Sequence, residues 1–207
     1  MKILRLILKV IVVLIIVNII VIGVYFIKLN KNNEKQKQPE AVVVDKIDLF
    51  DYSLDNNKND LYKLYFNELK GILKEENINY EEYAKSLSKL FVADLYNLSN
   101  KVSSSDIGGK EFVYKEFQKD FLSIAKTTLY KSVKSNLYGE RVQELPTVTN
   151  IVIDEIKKSS FKYKETNYED AYLIKLTIEY EKDLGYQNKC ELVLIKNENK
   201  LEIAKLS

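Results

Sequence analysis

The chain of 207 residues contains no histidine and no tryptophan, and it has only one cysteine, two prolines and six glycines. The absence of histidine excludes Ser–His and Cys–His catalysis and ordinary zinc sites, because imidazole is their usual base or ligand. Cys190 has no second cysteine with which to form an intrachain disulfide. We therefore expect no catalytic residues, no metal site and no cofactor.

The chain also lacks an excess of basic over acidic residues in its soluble part. The chain has 32 basic and 30 acidic residues, and residues 1–27 hold three of the basic residues and none of the acidic ones. Residues 28–207 therefore carry 29 basic and 30 acidic residues, a net charge of −1. Nucleic-acid binding requires a concentrated basic surface, so we expect no nucleic-acid partner.

One long apolar run stands near the N-terminus. Residues 10–27 read VIVVLIIVNIIVIGVYFI, eighteen residues without a charge. At about 1.5 Å per residue, a helix of this length roughly matches the hydrocarbon core of a bilayer. The alternative, a cleaved signal peptide, has an apolar region of about 7–15 residues and a small-residue cleavage site. The run is longer and has no such site, so we expect an uncleaved transmembrane helix.

The charges that flank this run are nearly balanced, with three basic residues before it and four lysines against Glu34 after it. A short tail without a folded domain is the usual form of a signal anchor. We therefore expect the tail inside the cell membrane and the domain outside. The expected organisation is a cytoplasmic tail (1–9), a single transmembrane helix (10–27), a flexible stalk (28–40) and a soluble domain (41–207).

The period of the apolar residues changes along the soluble part. A period of 3.6 predicts helices over 60–76, 80–100 and 114–137. After residue 146 a period of 2 predicts sequential antiparallel strands over 148–156, 161–164, 171–181, 189–196 and 201–206. Residues 41–54 are expected to be a strand or an extended segment. An apolar sheet face needs cover, so we expect an α+β fold with three helices packed on the sheet.

The predicted third helix carries one apolar stripe. We expect its members to face inward, and they are Phe117, Phe121, Ile124, Ala125, Thr128 and Val133.

This order of three helices followed by a meander of four or five strands, behind one anchor, resembles the nuclear-transport-factor-2-like fold over residues 60–206. The sequence FVADLYNL at 91–98, with Lys101 and DIGG at 106–109, also looks like anchored proteins of low-GC Gram-positive bacteria. The resemblance implies a curved antiparallel sheet that wraps around the helices as a cone with a pocket. Such domains include enzymes, pocket-less scaffolds and single-pass proteins of secretion and conjugation machines, so the fold assigns no single function.

Asp94 is the most unusual residue of the soluble part, because it falls at the centre of the second helix's apolar stripe, between Phe91 and Leu98. A carboxylate there is either hydrogen-bonded or has a raised pKa. Three interpretations are open: an acceptor for N–H groups of the loop at 108–109 or for a tyrosine hydroxyl, a ligand-binding group at a pocket floor, or a general base. The DIGG sequence itself predicts a tight turn rather than an anion-binding nest.

Tyr130, Tyr138 and Tyr186 fall off the apolar stripes and are the predicted interaction surface. The preferred hypothesis is a non-catalytic, membrane-anchored, extracytoplasmic interaction or scaffold domain of an envelope-spanning or secretion-type assembly. The alternative is a ligand-binding ectodomain with a pocket near Asp94, and a remote alternative is an isomerase or hydrolase that uses Asp94. The expected partners are the membrane, through residues 10–27, and a protein or a second copy of the chain.

Overall fold

The computed structural model describes residues 15–25, 27–28 and 41–207. The chain divides into one unit of residues 1–39 and 137–140 and a second unit of residues 40–136 and 141–207. In the first unit, residues 15–25 and 27–28 are helical. None of the helices within the described ranges has the length and apolar character needed to cross a bilayer. The predicted tail, residues 10–14 and 26 of the predicted span, and residues 29–40 of the predicted stalk lie outside those ranges.

The second unit begins with a hairpin. Strands β1 (Val43–Ile47) and β2 (Tyr52–Asp55) pair in antiparallel fashion and are joined by a 3₁₀ turn, Asp48–Phe50. Asp51 closes this turn with a φ of 55°, in the left-handed region that aspartate tolerates better than most residues. The prediction of a strand or extended segment over 41–54 is therefore confirmed in the form of a hairpin.

Three α-helices follow in this unit: α1 (Asp60–Leu73), α2 (Tyr80–Tyr96) and α3 (Gln118–Thr127). Asn59 and Asn79 cap the first two, because each side chain accepts N–H groups of its helix's first turn. From its middle onward α2 is apolar and enclosed on most sides. Its buried apolar residues are Tyr83, Ala84, Leu87, Leu90, Phe91, Val92, Ala93, Leu95 and Tyr96.

The last part of the chain is a four-stranded antiparallel meander in the order β3-β4-β5-β6. The predicted strands 148–156 and 161–164 are one strand, because β4 pairs along both and the intervening residues also belong to the ladder. The register of this pair shifts at three places, and such bulges bend a strand and increase its twist, which accounts for the curvature of the sheet. The strands are β3 (Val148–Tyr163), β4 (Thr166–Tyr180), β5 (Lys189–Asn197) and β6 (Lys200–Leu206).

The main core lies between one face of the sheet and helices α1 and α2, and the β1–β2 hairpin also contributes to it. A smaller apolar cluster lies on the opposite face, where Ala171, Val193 and Ile195 are covered by half-buried aromatic side chains. The expected α+β architecture, helices with a curved antiparallel sheet of four strands, is confirmed.

The prediction for the third helix is wrong in length and only partly right in orientation. Ala125 and Val133 are buried, and Phe117 and Phe121 pack against the main core, as expected. Helix α3 spans 10 residues, and a 3₁₀ turn, Lys115–Phe117, precedes it. The hydroxyl groups of Thr127 and Thr128 bond to carbonyl groups of the preceding turn, a contact that competes with helix continuation. Ile124 is 61% exposed and Thr128 is also exposed, so neither faces a core.

The first and second helices also end earlier than predicted, at Leu73 and Tyr96. At the end of α2 the Asn97 side-chain oxygen accepts the N–H group of Val148 at the start of β3, 3.0 Å away. This bond ties the chain to the sheet, and a 3₁₀ turn, Leu98–Asn100, follows in place of the last helical turn.

Candidate functional site

Asp94 lies in α2 with only 5% of its side chain exposed. Its Oδ1 atom accepts hydrogen bonds from the Nζ atoms of Lys58 at 2.7 Å and Lys101 at 2.8 Å. Its Oδ2 atom accepts the backbone N–H of Gly109 at 2.8 Å. We call Lys58, Asp94, Lys101 and Gly109 the Asp94 cluster. The interpretation of Asp94 as an acceptor for the glycine loop is confirmed.

The cluster holds Asp94 as an anion. Burial by itself would raise the pKa of this carboxyl, but the ammonium groups of Lys101 and Lys58 outweigh burial and hold the pKa well below its usual value. A general base works best with a pKa near the working pH. This arrangement therefore disfavours the interpretation of Asp94 as a base.

The cluster continues toward a second acid. The Nζ atom of Lys58 lies 4.5 Å from the centre of the Tyr62 ring, and the Tyr62 hydroxyl donates to the Oε1 atom of Glu111 at 2.9 Å. Burial raises the pKa of the Glu111 carboxyl. The depression above these groups has a volume of about 360 Å³. Asp94 lines it together with mainly polar residues, among them Ser53, Asp55, Lys110 and Gln118. It is not the apolar pocket that a site with Asp94 at its floor would require.

The two glycines of the DIGG sequence let the loop approach α2 closely. A Cβ atom on Gly108 would lie 2.2 Å from the backbone oxygen of Asp94, a distance that real side chains do not reach. Gly109 has a φ of +79°, and a Cβ atom there would lie 2.7 Å from the Phe91 ring. The loop is therefore a tight turn packed against α2, and the anion that it binds is the chain's own carboxylate.

The structure corrects one of the three tyrosine predictions. Tyr130 is fully buried; its hydroxyl donates to the carbonyl oxygen of Leu95 at 2.7 Å and accepts the N–H of Gly108 at 3.1 Å. It joins the glycine loop to α2, so the expectation that Tyr130 lies on a surface is wrong. Tyr186 is half-buried against the main core, and Tyr138, in the other unit, is 53% exposed.

An apolar groove of about 550 Å³ lies between α3 and the end of β6. We call it the β6 groove. The sequence does not reveal this groove, because the apolar period of the α3 residues that line it predicts core positions. Asp94 is not among the lining residues, although its neighbours Leu95 and Tyr96 are. Other apolar residues that line it are Phe117, Phe121, Ile124, Ala204 and Leu206.

Phe117 also belongs to an aromatic cluster on the outer face of the sheet. Its ring centre lies 4.4 Å from that of Tyr163, 5.3 Å from that of Tyr114 and 6.5 Å from that of Phe161. Tyr168 joins the cluster through Tyr114, at 6.2 Å. All five side chains are half-buried. Through Phe117 the aromatic cluster and the β6 groove form one continuous apolar surface.

Two features therefore carry the functional argument. In the Asp94 cluster both ammonium groups bond to the one carboxylate, and the β6 groove with the aromatic cluster presents apolar surface to solvent. Comparisons of this chain with protein-family models, curated proteins and solved structures find no match.

Proposed function

We propose that this chain is a non-catalytic, membrane-anchored interaction domain on the outer side of the cell membrane. The observation that carries the proposal is the continuous apolar surface formed by the aromatic cluster and the β6 groove. Single exposed apolar residues are ordinary, whereas a contiguous patch is typical of a binding site. Tyrosine and phenylalanine are enriched at the centres of protein interfaces, which favours a protein partner.

The Asp94 cluster supports a non-catalytic role because its contacts are structural. Lys101 enters the cluster from the segment that follows α2, and Arg141 holds that segment from the other side. The Arg141 guanidinium donates to the carbonyl oxygens of Ser99 and Lys101, both at 2.7 Å. These contacts hold Lys101 and the segment after α2 in place, which is a structural role.

The membrane anchor and the outward orientation rest on the eighteen uncharged residues at 10–27 and on the short basic tail before them. We also infer a nuclear-transport-factor-2-like cone, supported by the order of three helices and a curved four-stranded meander. In this view the domain is a scaffold component of an envelope-spanning assembly. Protease treatment of intact cells should remove a C-terminal tag; a tag that survives until the membrane is permeabilised would contradict the outward orientation.

Binding of a small apolar ligand in the β6 groove is the second candidate function. The groove volume of about 550 Å³ lies within the range of roughly 300–1,000 Å³ that is usual for small-molecule sites. Placing Asp94 at the floor of such a site has no support from the lining of the groove. The isomerase or hydrolase hypothesis has still less support. It requires Asp94 to take up a proton, and the two ammonium groups beside this carboxylate keep its pKa low.

Disruption of the groove in the full-length chain tests the proposal. Ile124→Asp places a charge at an exposed position of the groove, and Leu49→Asp is the matched control because Leu49 is 93% exposed and lies outside the groove. Tagged protein is extracted from membranes in mild detergent and its native mass is measured. We expect a mass above that of the monomer for the wild type and for Leu49→Asp, and a monomer for Ile124→Asp.

Two results would contradict the proposal. One is a wild-type protein that is monomeric after gentle extraction, and the other is an Ile124→Asp variant that keeps the full native mass.

A further inference from the structure

Strand β6 is an edge of the sheet, and the hydrogen bonds at its end show which groups point outward. Glu191 of β5 and Ser207 exchange both of their backbone hydrogen bonds, at 2.8 and 3.0 Å. In an antiparallel ladder such pairs alternate with pairs whose N–H and C=O groups point away from each other. Leu206, which lies opposite Leu192, belongs to the second kind. Its N–H and C=O groups therefore point to the outer edge of β6.

The chain's own groups occupy the earlier part of this edge. The N–H of Leu201 donates to the Tyr83 hydroxyl at 3.3 Å, and the Tyr52 hydroxyl donates to the Leu201 carbonyl at 3.2 Å. The N–H of Tyr114 donates to the Ile203 carbonyl at 3.0 Å, within a short parallel bridge. Two of the outward-facing positions of β6 are thus satisfied from within the fold.

This cover ends where the β6 groove begins. After Tyr114 the chain turns through Lys115–Phe117 into α3, so it leaves the edge of β6 and forms the opposite wall. In the described part of the chain, no backbone group bonds to Leu206 on its outer side. The groove follows residues 203–207, a length of about 17 Å at roughly 3.3 Å per residue.

We propose that the β6 groove binds an extended segment of a partner protein, which adds to the edge of β6 as a further strand at Leu206. This proposal rests on the interaction function proposed above and names the chemistry of the partner. The segment has apolar side chains at alternate positions over about four to six residues, and these side chains fill the space between β6 and α3. The bridge at Ile203 is the same kind of contact, made by the chain itself.

A second copy of the chain fits this edge less well than a single extended segment. Helix α3 forms the wall opposite the open part of β6, with Phe121 and Ile124 lining the groove. Direct pairing of two β6 strands would also have to seat a second α3 beside the groove that the first α3 lines. A lone peptide strand enters without this conflict.

The test uses the full-length protein in detergent micelles and a pool of synthetic peptides of about eight residues. The peptides carry Val, Ile or Phe at alternate positions, with Thr or Lys between them. We expect binding by fluorescence anisotropy, together with slower hydrogen exchange at the Leu206 amide. Leu206→Pro removes an N–H that β5 does not use and should weaken binding about tenfold or more. Leu206→Ala keeps this N–H and should retain most of the affinity.

A second measurement leaves the protein unchanged. Peptides N-methylated at every second residue, in one alternation or the other, should differ in affinity, because only one set of amides faces β6. Any one of three results would overturn strand addition. They are an equal loss of affinity in both sets of methylated peptides, unchanged hydrogen exchange at the Leu206 amide, and equal peptide affinity of the Leu206→Pro and Leu206→Ala variants. If Ile124→Asp still dissociates the native complex while Leu206→Pro does not, the interaction function stands and strand addition fails. If the native complex survives in both variants, the interaction function and strand addition are both rejected.

Discussion

The Nζ atom of Lys101 lies 2.8 Å from the Oδ1 atom of Asp94, and both side chains are 5% exposed. This ion pair explains how an acidic residue can occupy the apolar stripe of α2. Breaking a buried pair costs more stability than the pair contributes, because the remaining charge is left without a partner. The pair therefore makes the position of the loop after α2 sensitive to single substitutions.

Asp94→Asn should lower the free energy of unfolding by about 3–5 kcal/mol, since Lys101 would remain buried without its anion. The measurement is urea unfolding of the full-length protein in detergent. Asp60→Asn is the control, because Asp60 pairs with Lys63 at the surface and is fully exposed. It should leave the stability unchanged. Equal stability of the two variants would show that the Asp94 cluster is not structural.

The stability of the protein should decrease as the pH is lowered below about 4. The folded pKa of Asp94 is held well below its value of about 3.9 in an unfolded chain. The contribution of this group is therefore fully present above the unfolded pKa and is lost as the pH falls from about 4 toward the folded pKa. Urea midpoints of the wild type should fall more steeply than those of Asp94→Asn in this range. Parallel pH profiles for the two proteins would contradict this prediction.

Gly108→Ala should destabilise the protein by about 2 kcal/mol or more, because the new Cβ atom would lie 2.2 Å from the backbone oxygen of Asp94. Gly71→Ala is the matched control. Gly71 lies within α1, and a Cβ atom there meets nothing within 4 Å. Because alanine favours a helix over glycine, the control should be neutral or slightly stabilising. Thermal melts of the two variants that shift in the same direction and by the same amount would contradict the close contact.

Substitutions on α2 and α3 should separate the core from the groove. Leu90→Ala and Phe91→Ala should each cost about 2–5 kcal/mol, because both side chains are fully buried. Ile124→Ala should cost much less, since this side chain is largely exposed on the wall of the β6 groove. Chemical unfolding of the three variants provides the comparison. A large loss for Ile124→Ala would mean that this residue is part of the core.

The sequence predicted α2 well because the whole apolar stripe of this helix is buried. The positions that the helical period predicts to face inward are the positions that the structure buries. It was only partly right for α3, where Phe121 packs against the core and Ala125 is buried, but Ile124 is exposed on the wall of the β6 groove. A local pattern contains the apolar character of Phe121 and Ile124 but not the distance to the surface opposite them. For the same reason the sequence predicts a core position for Ile124 and does not reveal the groove.

The Asp94 cluster shows a similar limit. The helical period identified Asp94 as a polar residue in an apolar stripe, and the nearby glycines suggested one partner. Lys58, which is 36 residues away in sequence, could not be identified, because its approach depends on how the chain before α1 packs against α2. The sequence also predicts a surface position for Tyr130, because the burial of this residue depends on the early end of α3, which the helical period does not show.

In our proposal this chain binds another protein at the groove between α3 and β6. The most direct measurement places a photocrosslinking residue at Ile124 of the full-length chain, in intact cells that make it, with the same residue at Leu49 as the control. We expect a discrete protein adduct from position 124 and none from position 49. Absence of an adduct at position 124, or the same adducts from both positions, would contradict the proposal.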